Sequence, residues 1–279
     1  MKLASFQIAG RSSYGAVVGD GIVDLGMRLK HPTLRALIEA GAFAEAAQAV
    51  RGASADHPLA AVTLTVPMPD APKIILVGRN YKGHVAEAGQ KLPAHPSVFI
   101  RTHDSFAAPG APLVRPQVSG HFDYEGELTL VIGKRGRHIP RTRALEHIAG
   151  YTILNDGSIR DFQFEHSLTV GKNFERSGSW GPWITTADEI PDPTQLDLAT
   201  RLNGQQVQHT KTDDLIFDIP FLIEYLSTVT TLGPGDVIAT GTPEGVGFAR
   251  KPPLWMKAGD VCEIEISKIG VLRNPVIAE

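Results

Sequence analysis

Acidic residues recur at every second position in the segment His121–Gly133. Asp123, Glu125 and Glu127 share one parity, and the alternate positions carry Tyr, Gly and Leu. Because side chains two residues apart on a β-strand point to the same face, this spacing predicts a strand with one acidic face. Such a face is either solvated or arranged around a hard cation that takes several oxygen ligands.

A further carboxylate, Asp156, follows the apolar run Tyr151–Leu154 in the sequence Asn-Asp-Gly-Ser. One interpretation is a simple turn, since Asn, Asp and Gly favour turns. The other is a third cation ligand beside Glu125 and Glu127. Three carboxylates with water suit Mg²⁺, Mn²⁺ or Ca²⁺, whereas zinc prefers nitrogen and sulfur ligands.

His84 and Glu87 lie three residues apart in the sequence Asn-Tyr-Lys-Gly-His-Val-Ala-Glu. Residues three apart on a helix are neighbours, so the carboxylate can orient the imidazole and raise its basicity. The pair would then act as a general-base dyad. The alternative is a surface ion pair without a chemical role.

Further polar groups follow along the chain. Arg160 and Gln163 fall on one predicted helical turn, and Lys172 lies in Val-Gly-Lys-Asn-Phe. A cation there could hold a substrate carboxylate or stabilise an enolate; the alternative is a solvated loop lysine. Thr242 lies in the Gly-rich segment Thr240–Gly247, which lacks the spacing of a dinucleotide or phosphate loop. This segment either binds an anion through N–H and hydroxyl groups or is a hairpin loop.

The composition excludes several classes of protein. The chain has 279 residues, 42% of them hydrophobic, and a formal net charge of −3. No run of Lys and Arg favours nucleic acid or an anionic membrane, and no apolar run approaches the ~18 residues that span a bilayer. The single Cys excludes an intrachain disulfide framework and a multi-Cys zinc site. We therefore expect a cytoplasmic protein.

Two domains are predicted, a small α+β domain over residues 1–70 and a larger β-rich domain over residues 71–279. Pro67, Pro69 and Pro72 mark the boundary because Pro cannot continue a β-ladder. In the first domain we expect one helix after Pro32 and a second over Ala42–Val50. The expected strands are Ala4–Ile8, Tyr14–Val18, Ile22–Leu25 and Leu64–Val66.

Strands dominate the predicted second domain, and its helices are short. The predicted strands are Lys73–Val77, Ser97–Arg101, Glu125–Ile132, Tyr151–Asn155, Trp183–Thr186, Leu196–Leu202, Val237–Thr240 and Val261–Ser267. The predicted helices are Tyr81–Ala88, Arg143–His147, Ser158–Phe164 and Ile219–Ser227. The fold class is therefore predicted to be α+β and β-rich, a mixed β-sandwich or barrel-like domain with helical inserts.

Five sequence blocks, in this order, resemble the fumarylacetoacetate hydrolase family. They extend over the chain beyond Lys73 and read KIILVGRNYKGHVAE, DYEGELTLVIGK, LNDGSIRDFQ, GKNF and GDVIATGTPEGVG. The resemblance implies a β-rich catalytic domain, a homodimer and a bound divalent cation, Mg²⁺ or Mn²⁺, with Ca²⁺ also acceptable. Carried over by position, it implies metal ligands at Glu125, Glu127 and Asp156, catalytic roles for His84, Glu87 and Lys172, and substrate contacts from Arg160, Gln163 and Thr242.

The chain departs from the family pattern at two places. Gly157 stands where relatives commonly have a larger residue, which predicts a wider or re-aimed pocket beside the metal. Arg101-Thr102 stands where many relatives have Lys-Pro, which leaves the recognition of the substrate tail open.

The reaction implied first is hydrolysis of a C–C bond in a β-diketo acid of the acylpyruvate or fumarylpyruvate type, as in the catabolism of aromatic compounds. His84 would activate water, and the leaving enolate would be stabilised by the cation and Lys172. The alternatives at the same site are decarboxylation of an oxaloacetate-like acid and tautomerisation or hydration of a 2-oxo-alkenoate. A non-catalytic binding protein with this fold is the third alternative.

Overall fold

Strands predominate along the chain, as the sequence predicts. The computed structural model describes residues 1–87, 89 and 91–279. Its strands are β1 Lys2–Ile8, β2 Arg11–Val18, β3 Gly21–Asp24, β4 His57–Pro58, β5 Thr63–Leu64, β6 Ile74–Gly78, β7 Ser97–Ile100, β8 Phe106–Ala107, β9 Leu113–Arg115, β10 Phe122–Asp123, β11 Gly126–Ile132, β12 Ile148–Asn155, β13 Ser158–Ile159, β14 Gly178–Thr186, β15 Asp197–Leu202, β16 Gln205–Lys211, β17 Val237–Ala239, β18 Val261–Ile266 and β19 Gly270–Ala278.

The helices are mostly short. They are α1 Leu34–Glu39, α2 Phe43–Val50, α3 Lys82–Glu87, α4 Arg160–Glu165, α5 Leu168–Lys172 and α6 Ile219–Val229. The predicted helix Arg143–His147 is a 3₁₀ helix over Arg141–His147. Ala88, the predicted last residue of the helix at His84, lies outside the described residues. Within the described ranges, no helix is long and apolar enough to cross a membrane.

Two large sheets hold most of these strands. The first has the order β4-β3-β2-β1-β14-β12-β11-β17-β6-β7, with β5 paired to β1 and β8 paired to β14. The second has the order β16-β15-β18-β19-β9, and β10 pairs separately with β13. This sheet-rich α+β architecture confirms the predicted fold class.

Strand β11 lies in the interior of the first sheet, antiparallel to β12 on one side and to β17 on the other. Its two faces pack into different cores. Leu128 and Leu130 join the core that includes Ile264 of the second sheet, whereas Val131 joins a core built with Trp180 and helix α1. The alternation read from the sequence is therefore real, but both faces of the strand are buried.

The first sheet crosses the predicted domain boundary. Strand β1 pairs antiparallel with β14, with Leu3 opposite Ile184. Leu34 and Leu37 of helix α1 lie in one hydrophobic cluster with Leu76 of β6. The division into residues 1–70 and 71–279 stays a prediction, and the two parts share a sheet and a core.

Two long strands of the second sheet, β16 and β19, were missed by the sequence analysis. Strand β16 reads Gln-Gln-Val-Gln-His-Thr-Lys, and it pairs with β15 at the edge of the second sheet. An edge strand with a polar sequence carries little hydrophobic alternation, so its pattern resembles a loop. Strand β19 contains Pro275 opposite Val261, and a proline within a run argues against a strand.

Gly157 is required by close packing of two backbone segments. It lies in the turn between β12 and β13, and a Cβ atom there would overlap the carbonyl oxygen of Ser177 and approach the Phe122 ring to 3.2 Å. The expectation that Gly157 widens the pocket is therefore wrong. The space beside its Cα is occupied by the backbone at Ser177, which leaves no room for a side chain.

We predict that Gly157→Ala destabilises the protein by about 1–3 kcal/mol, because the added methyl group must push the Ser177 backbone away. Urea unfolding of the purified variant measures this change. Gly120→Ala is the matched control, since a Cβ atom at Gly120 would meet no heavy atom within 4 Å. Equal stability of the two variants would contradict this assignment.

Candidate active site with a carboxylate metal centre

Three carboxylates from two neighbouring strands converge on one point. Glu125 lies just before β11, Glu127 lies within it, and Asp156 lies just after β12. The register pairs Gly126 with Asn155, and the Asp156 N–H donates to the carbonyl oxygen of Glu125 at 2.9 Å. One oxygen from each of the three carboxylates lies within 4.8 Å of the others.

These carboxylates are buried. Glu125 is 5% exposed, Glu127 is 2% exposed and Asp156 is 1% exposed. A solvated acidic face, which the sequence alone left open, is therefore excluded. Buried carboxylates need cationic partners or a bound metal, because water cannot compensate their charge.

Three basic side chains surround the cluster. The Lys172 ammonium donates to Glu125 Oε2 and to Asp156 Oδ2, each at 2.6 Å. The Arg160 guanidinium donates to Glu125 Oε1 at 2.6 Å, and that of Arg101 donates to Asp156 Oδ1 at 2.7 Å. Arg101 was noted in the sequence only as a departure near the substrate tail. It lies instead beneath the acidic cluster, with its side chain fully buried.

The pKa values of the two glutamates move in opposite directions. Burial acts to raise the pKa of Glu125, but the charges of Arg160 and Lys172 outweigh it and hold this pKa well below its usual value. Burial, reinforced by the charges of Asp156 and Glu125, raises the pKa of Glu127 well above its usual value. Glu127 is thus the member of the cluster whose charge is least compensated by the protein.

The residues fit a divalent cation. The cluster offers only carboxylate oxygens, the ligands that Mg²⁺, Mn²⁺ and Ca²⁺ accept. A cation held between the three carboxylates would compensate the charge of Glu127. Lys172 donates to Glu125 Oε2 and Asp156 Oδ2, so its ammonium would lie beside such a cation and share carboxylate ligands with it.

Asp123 shares the parity of the glutamates but has a different role. It is fully buried, and it accepts hydrogen bonds from the N–H groups of Gly247 and Phe248 and from Arg160 Nε at 2.7, 3.1 and 2.8 Å. It therefore fixes the guanidinium of Arg160 and the loop at Phe248 relative to each other. The Phe248 ring lies 4.6 Å from the Arg160 guanidinium carbon.

Helix α3 places His84 at the cavity and Glu87 away from it. His84 is 7% exposed, and its Nδ1 lies 3.7 Å from Glu87 Oε2, beyond hydrogen-bonding distance. Nδ1 has no hydrogen-bond partner among the described residues. Both Glu87 oxygens instead accept from the Gly245 N–H at 3.1 Å. The two residues are neighbours, as their spacing predicts, but they form no hydrogen-bonded dyad in this conformation.

The Gly-rich loop after β17 closes another side of the site. The Gly241 N–H donates to Glu127 Oε2 at 2.8 Å. The Thr242 hydroxyl donates to the Gly126 carbonyl at 3.0 Å and accepts from Gln208 at 2.9 Å. Gln208 belongs to the missed strand β16, so its link to Thr242 carried no signal in the sequence.

One cavity of about 320 Å³ brings the predicted site residues together. Every predicted site residue except Glu87 lines it. The remaining wall is largely apolar, with one further basic residue. The cavity-lining residues are Val77, Gly78, Arg79, His84, Ser97, Phe99, Glu125, Glu127, Asp156, Arg160, Gln163, Phe164, Leu168, Lys172, Thr242 and Phe248.

The sequence and the fold are similar to those of known proteins. Oxaloacetate tautomerase Fahd2a, mitochondrial, from Rattus norvegicus is 36% identical over 266 residues, which cover 93% of this chain and 85% of that protein. Maleylpyruvate hydrolase from Sphingobium sp. SYK-6, solved in complex with manganese(II) ion and pyruvate, has a TM-score of 0.84 and 33% identity over 100% of this chain and 99% of that one.

A third similar protein is an isomerase. The 5-carboxymethyl-2-hydroxymuconate delta-isomerase from Mycobacterium smegmatis has a TM-score of 0.80 and 34% identity, with 100% of both chains covered. Residues 73–277 match the family described as fumarylacetoacetate (FAA) hydrolase C-terminal. With the ordered motifs, the fold and these matches in agreement, the chain belongs to the fumarylacetoacetate hydrolase family.

Proposed function

We propose that this protein is a divalent-metal-dependent enzyme that interconverts the keto and enol forms of a small 2-oxo dicarboxylic acid such as oxaloacetate. The observation that carries the proposal is the shared cavity, in which His84 faces the same space as the carboxylate cluster and Lys172. The similarity to oxaloacetate tautomerases over 93% of the chain supports this choice of substrate.

The charge of the site supports an anionic substrate. The buried acids Asp123, Glu125, Glu127 and Asp156 carry four negative charges, and the buried bases Arg101, Arg160 and Lys172 carry three positive charges. The protein groups therefore sum to one negative charge when all are ionised. A divalent cation would bring the sum to one positive charge, which favours a 2-oxo acid and its enolate.

The residues divide the proposed reaction between them. A divalent cation held by Glu125, Glu127 and Asp156 would supply Lewis-acid polarisation of the 2-oxo group. His84 removes the proton from the carbon next to the carbonyl, through Nε2, and returns it to the enolate oxygen. Lys172 places a positive charge beside that oxygen. Arg160, through its remaining N–H donors, and Gln163 bind the substrate carboxylate. Thr242 would join them by turning its hydroxyl from the Gly126 carbonyl to the substrate.

Hydrolysis of a β-diketo acid is the second candidate. The maleylpyruvate hydrolase that is 33% identical was solved with manganese and pyruvate, and pyruvate is the fragment that such a hydrolysis releases. In this reaction His84 would take a proton from water with help from Glu87. The α3 segment would have to move, because Glu87 is 3.7 Å from His84 and bound to Gly245. Decarboxylation of oxaloacetate shares the same enolate.

Two further properties stay predictions from the sequence. They are homodimeric assembly and a cytoplasmic location; the oxaloacetate tautomerase compared above is mitochondrial by its name.

A product assay tests the proposed reaction. With Mn²⁺ added, we expect the enzyme to accelerate the keto–enol equilibration of oxaloacetate, measured by the ultraviolet absorbance of the enol, with no change in mass. Acylpyruvates and fumarylpyruvate are assayed in parallel. Cleavage of such a substrate into two products indicates hydrolysis, and release of CO₂ from oxaloacetate indicates decarboxylation. If the enzyme cleaves a diketo acid and has no effect on oxaloacetate, the proposed tautomerisation is wrong and hydrolysis takes its place.

We predict that His84→Ala lowers turnover by about 10²–10⁴-fold, the range for loss of a general acid–base group. The Mn²⁺ affinity should stay near that of the wild type, because His84 is not one of the clustered carboxylates. Steady-state kinetics and Mn²⁺ titration measure the two quantities. His209→Ala, at an exposed position of β16, is the control. Wild-type turnover in His84→Ala would refute the role of His84.

We predict that Glu127→Gln weakens Mn²⁺ binding at least about tenfold, because it removes a charged ligand while preserving side-chain shape. Isothermal titration calorimetry of the folded variant measures the affinity. Glu146→Gln, at an exposed position, should bind Mn²⁺ like the wild type. Unchanged affinity in Glu127→Gln would exclude the cluster as the metal centre.

A further inference from the structure

We infer that Arg101 is a positioning residue that limits Asp156 to one free carboxylate oxygen and thereby makes the metal centre select Mg²⁺ and Mn²⁺ over Ca²⁺. The inference rests on the proposed function in one respect, the binding of a divalent cation at Glu125, Glu127 and Asp156. It assigns Arg101 a function that concerns the choice of cation and not the substrate tail.

The guanidinium of Arg101 is held from all sides. Nη1 donates to Asp156 Oδ1 at 2.7 Å and to the Gly157 carbonyl at 3.2 Å. Nη2 donates to the Ser105 carbonyl at 3.0 Å and to the Ser177 hydroxyl at 2.8 Å, and Nε donates to the Ser105 hydroxyl at 3.1 Å. The Phe106 ring lies 4.5 Å from the guanidinium carbon. Because these partners fix the guanidinium, it in turn fixes Asp156 Oδ1.

The other two carboxylates are restrained in the same way. Glu125 Oε1 accepts from Arg160 Nη2 at 2.6 Å, and Glu127 Oε2 accepts from the Gly241 N–H at 2.8 Å. Each carboxylate therefore has one oxygen engaged by a fixed donor of the protein. The oxygens without such a fixed donor are Glu125 Oε2, Glu127 Oε1 and Asp156 Oδ2. The flexible Lys172 side chain donates to Glu125 Oε2 and to Asp156 Oδ2.

This arrangement favours small cations. Mg²⁺ requires a near-octahedral shell of six oxygens and keeps several waters, and Mn²⁺ suits the same oxygen shell. Three single carboxylate oxygens satisfy half of that shell. Ca²⁺ takes about six to eight oxygens and commonly binds carboxylates through both oxygens. At Asp156 the second oxygen accepts from the fixed Arg101 guanidinium, so turning the carboxylate to present both oxygens to one cation would strain or break that hydrogen bond.

A lysine at position 101 would not substitute for the arginine. The guanidinium is planar and binds several acceptors at fixed angles, whereas an ammonium is a compact charge on a flexible stem. Arg101→Lys therefore keeps the charge near Asp156 and removes the restraint on its orientation. The variant separates the effect of geometry from the effect of charge.

The test is a competition between Mn²⁺ and Ca²⁺ on the full chain without substrate. Free Mn²⁺ is followed by electron paramagnetic resonance while Ca²⁺ is added. We expect Arg101→Lys to reduce the preference for Mn²⁺ over Ca²⁺ by about tenfold or more, the scale of effect for partners of metal ligands. An Arg101→Lys protein that binds Mn²⁺ with the wild-type preference overturns the inference.

Arg11→Lys is the matched control. Arg11 also binds a fully buried aspartate, Asp24, at 2.6 Å, but this pair belongs to strands β2 and β3 and does not line the cavity. The preference for Mn²⁺ should be unchanged in this variant. An equal loss of preference in Arg11→Lys would mean that general destabilisation causes the effect, which also overturns the inference.

A measurement on the wild type decides the matter if Arg101→Lys fails to fold. The number of water molecules on bound Mn²⁺, obtained from ¹⁷O relaxation, should be about three when each carboxylate supplies one oxygen to a six-oxygen shell. Two or fewer waters would overturn the inference. If the wild type binds Mn²⁺ but does not act on oxaloacetate, the proposed reaction is wrong and this inference is unaffected. If the wild type does not bind Mn²⁺, both are wrong.

Discussion

The antiparallel pairing of β11 with β12 is the constraint on which the site depends. It places Gly126 opposite Asn155 and joins the Asp156 N–H to the Glu125 carbonyl, so two carboxylates that are distant in sequence become neighbours. The pleat then adds Glu127 on the same face as Glu125. Because β11 is an interior strand with both faces buried, a one-residue shift in register would move the acidic residues to the opposite face and into an apolar core.

This placement makes the site electrostatically demanding. Four acids are brought out of water within a small volume, and a buried charge without a partner is strongly destabilising. Arg101, Arg160 and Lys172 compensate most of this charge, and the opposite pKa shifts of Glu125 and Glu127 show where the compensation ends. The uncompensated carboxylate lies where a cation would bind. The same electrostatics support the anionic 2-oxo acid proposed as the substrate.

Tautomerisation, hydrolysis and decarboxylation make similar demands on this part of the site. Each requires a polarised 2-oxo acid and a stabilised enolate, and in the proposed roles the carboxylates, with a bound cation, and Lys172 would serve all three. The reactions differ in whether the proposed general base, His84, takes its proton from the substrate or from water. His84 sits on α3, where Glu87 is engaged by Gly245 instead of by the imidazole. In the proposed roles, the placement of His84 and Glu87 by this short helix would distinguish simple proton transfer from activation of water.

The sequence by itself determined the fold class, the acidic alternation and eight of the residues that line the cavity, because hydrophobic period and motif order are local properties. It could not decide whether the acidic face was solvated, since burial depends on which sheets pack together. Nor could it show that Arg101 lies beneath Asp156 or that Gln208 holds Thr242. Those contacts join segments far apart in the chain, and one of them uses an edge strand without a hydrophobic pattern. Only the tertiary structure decided them, and it also showed that Gly157 is required by a neighbouring backbone and does not enlarge the pocket.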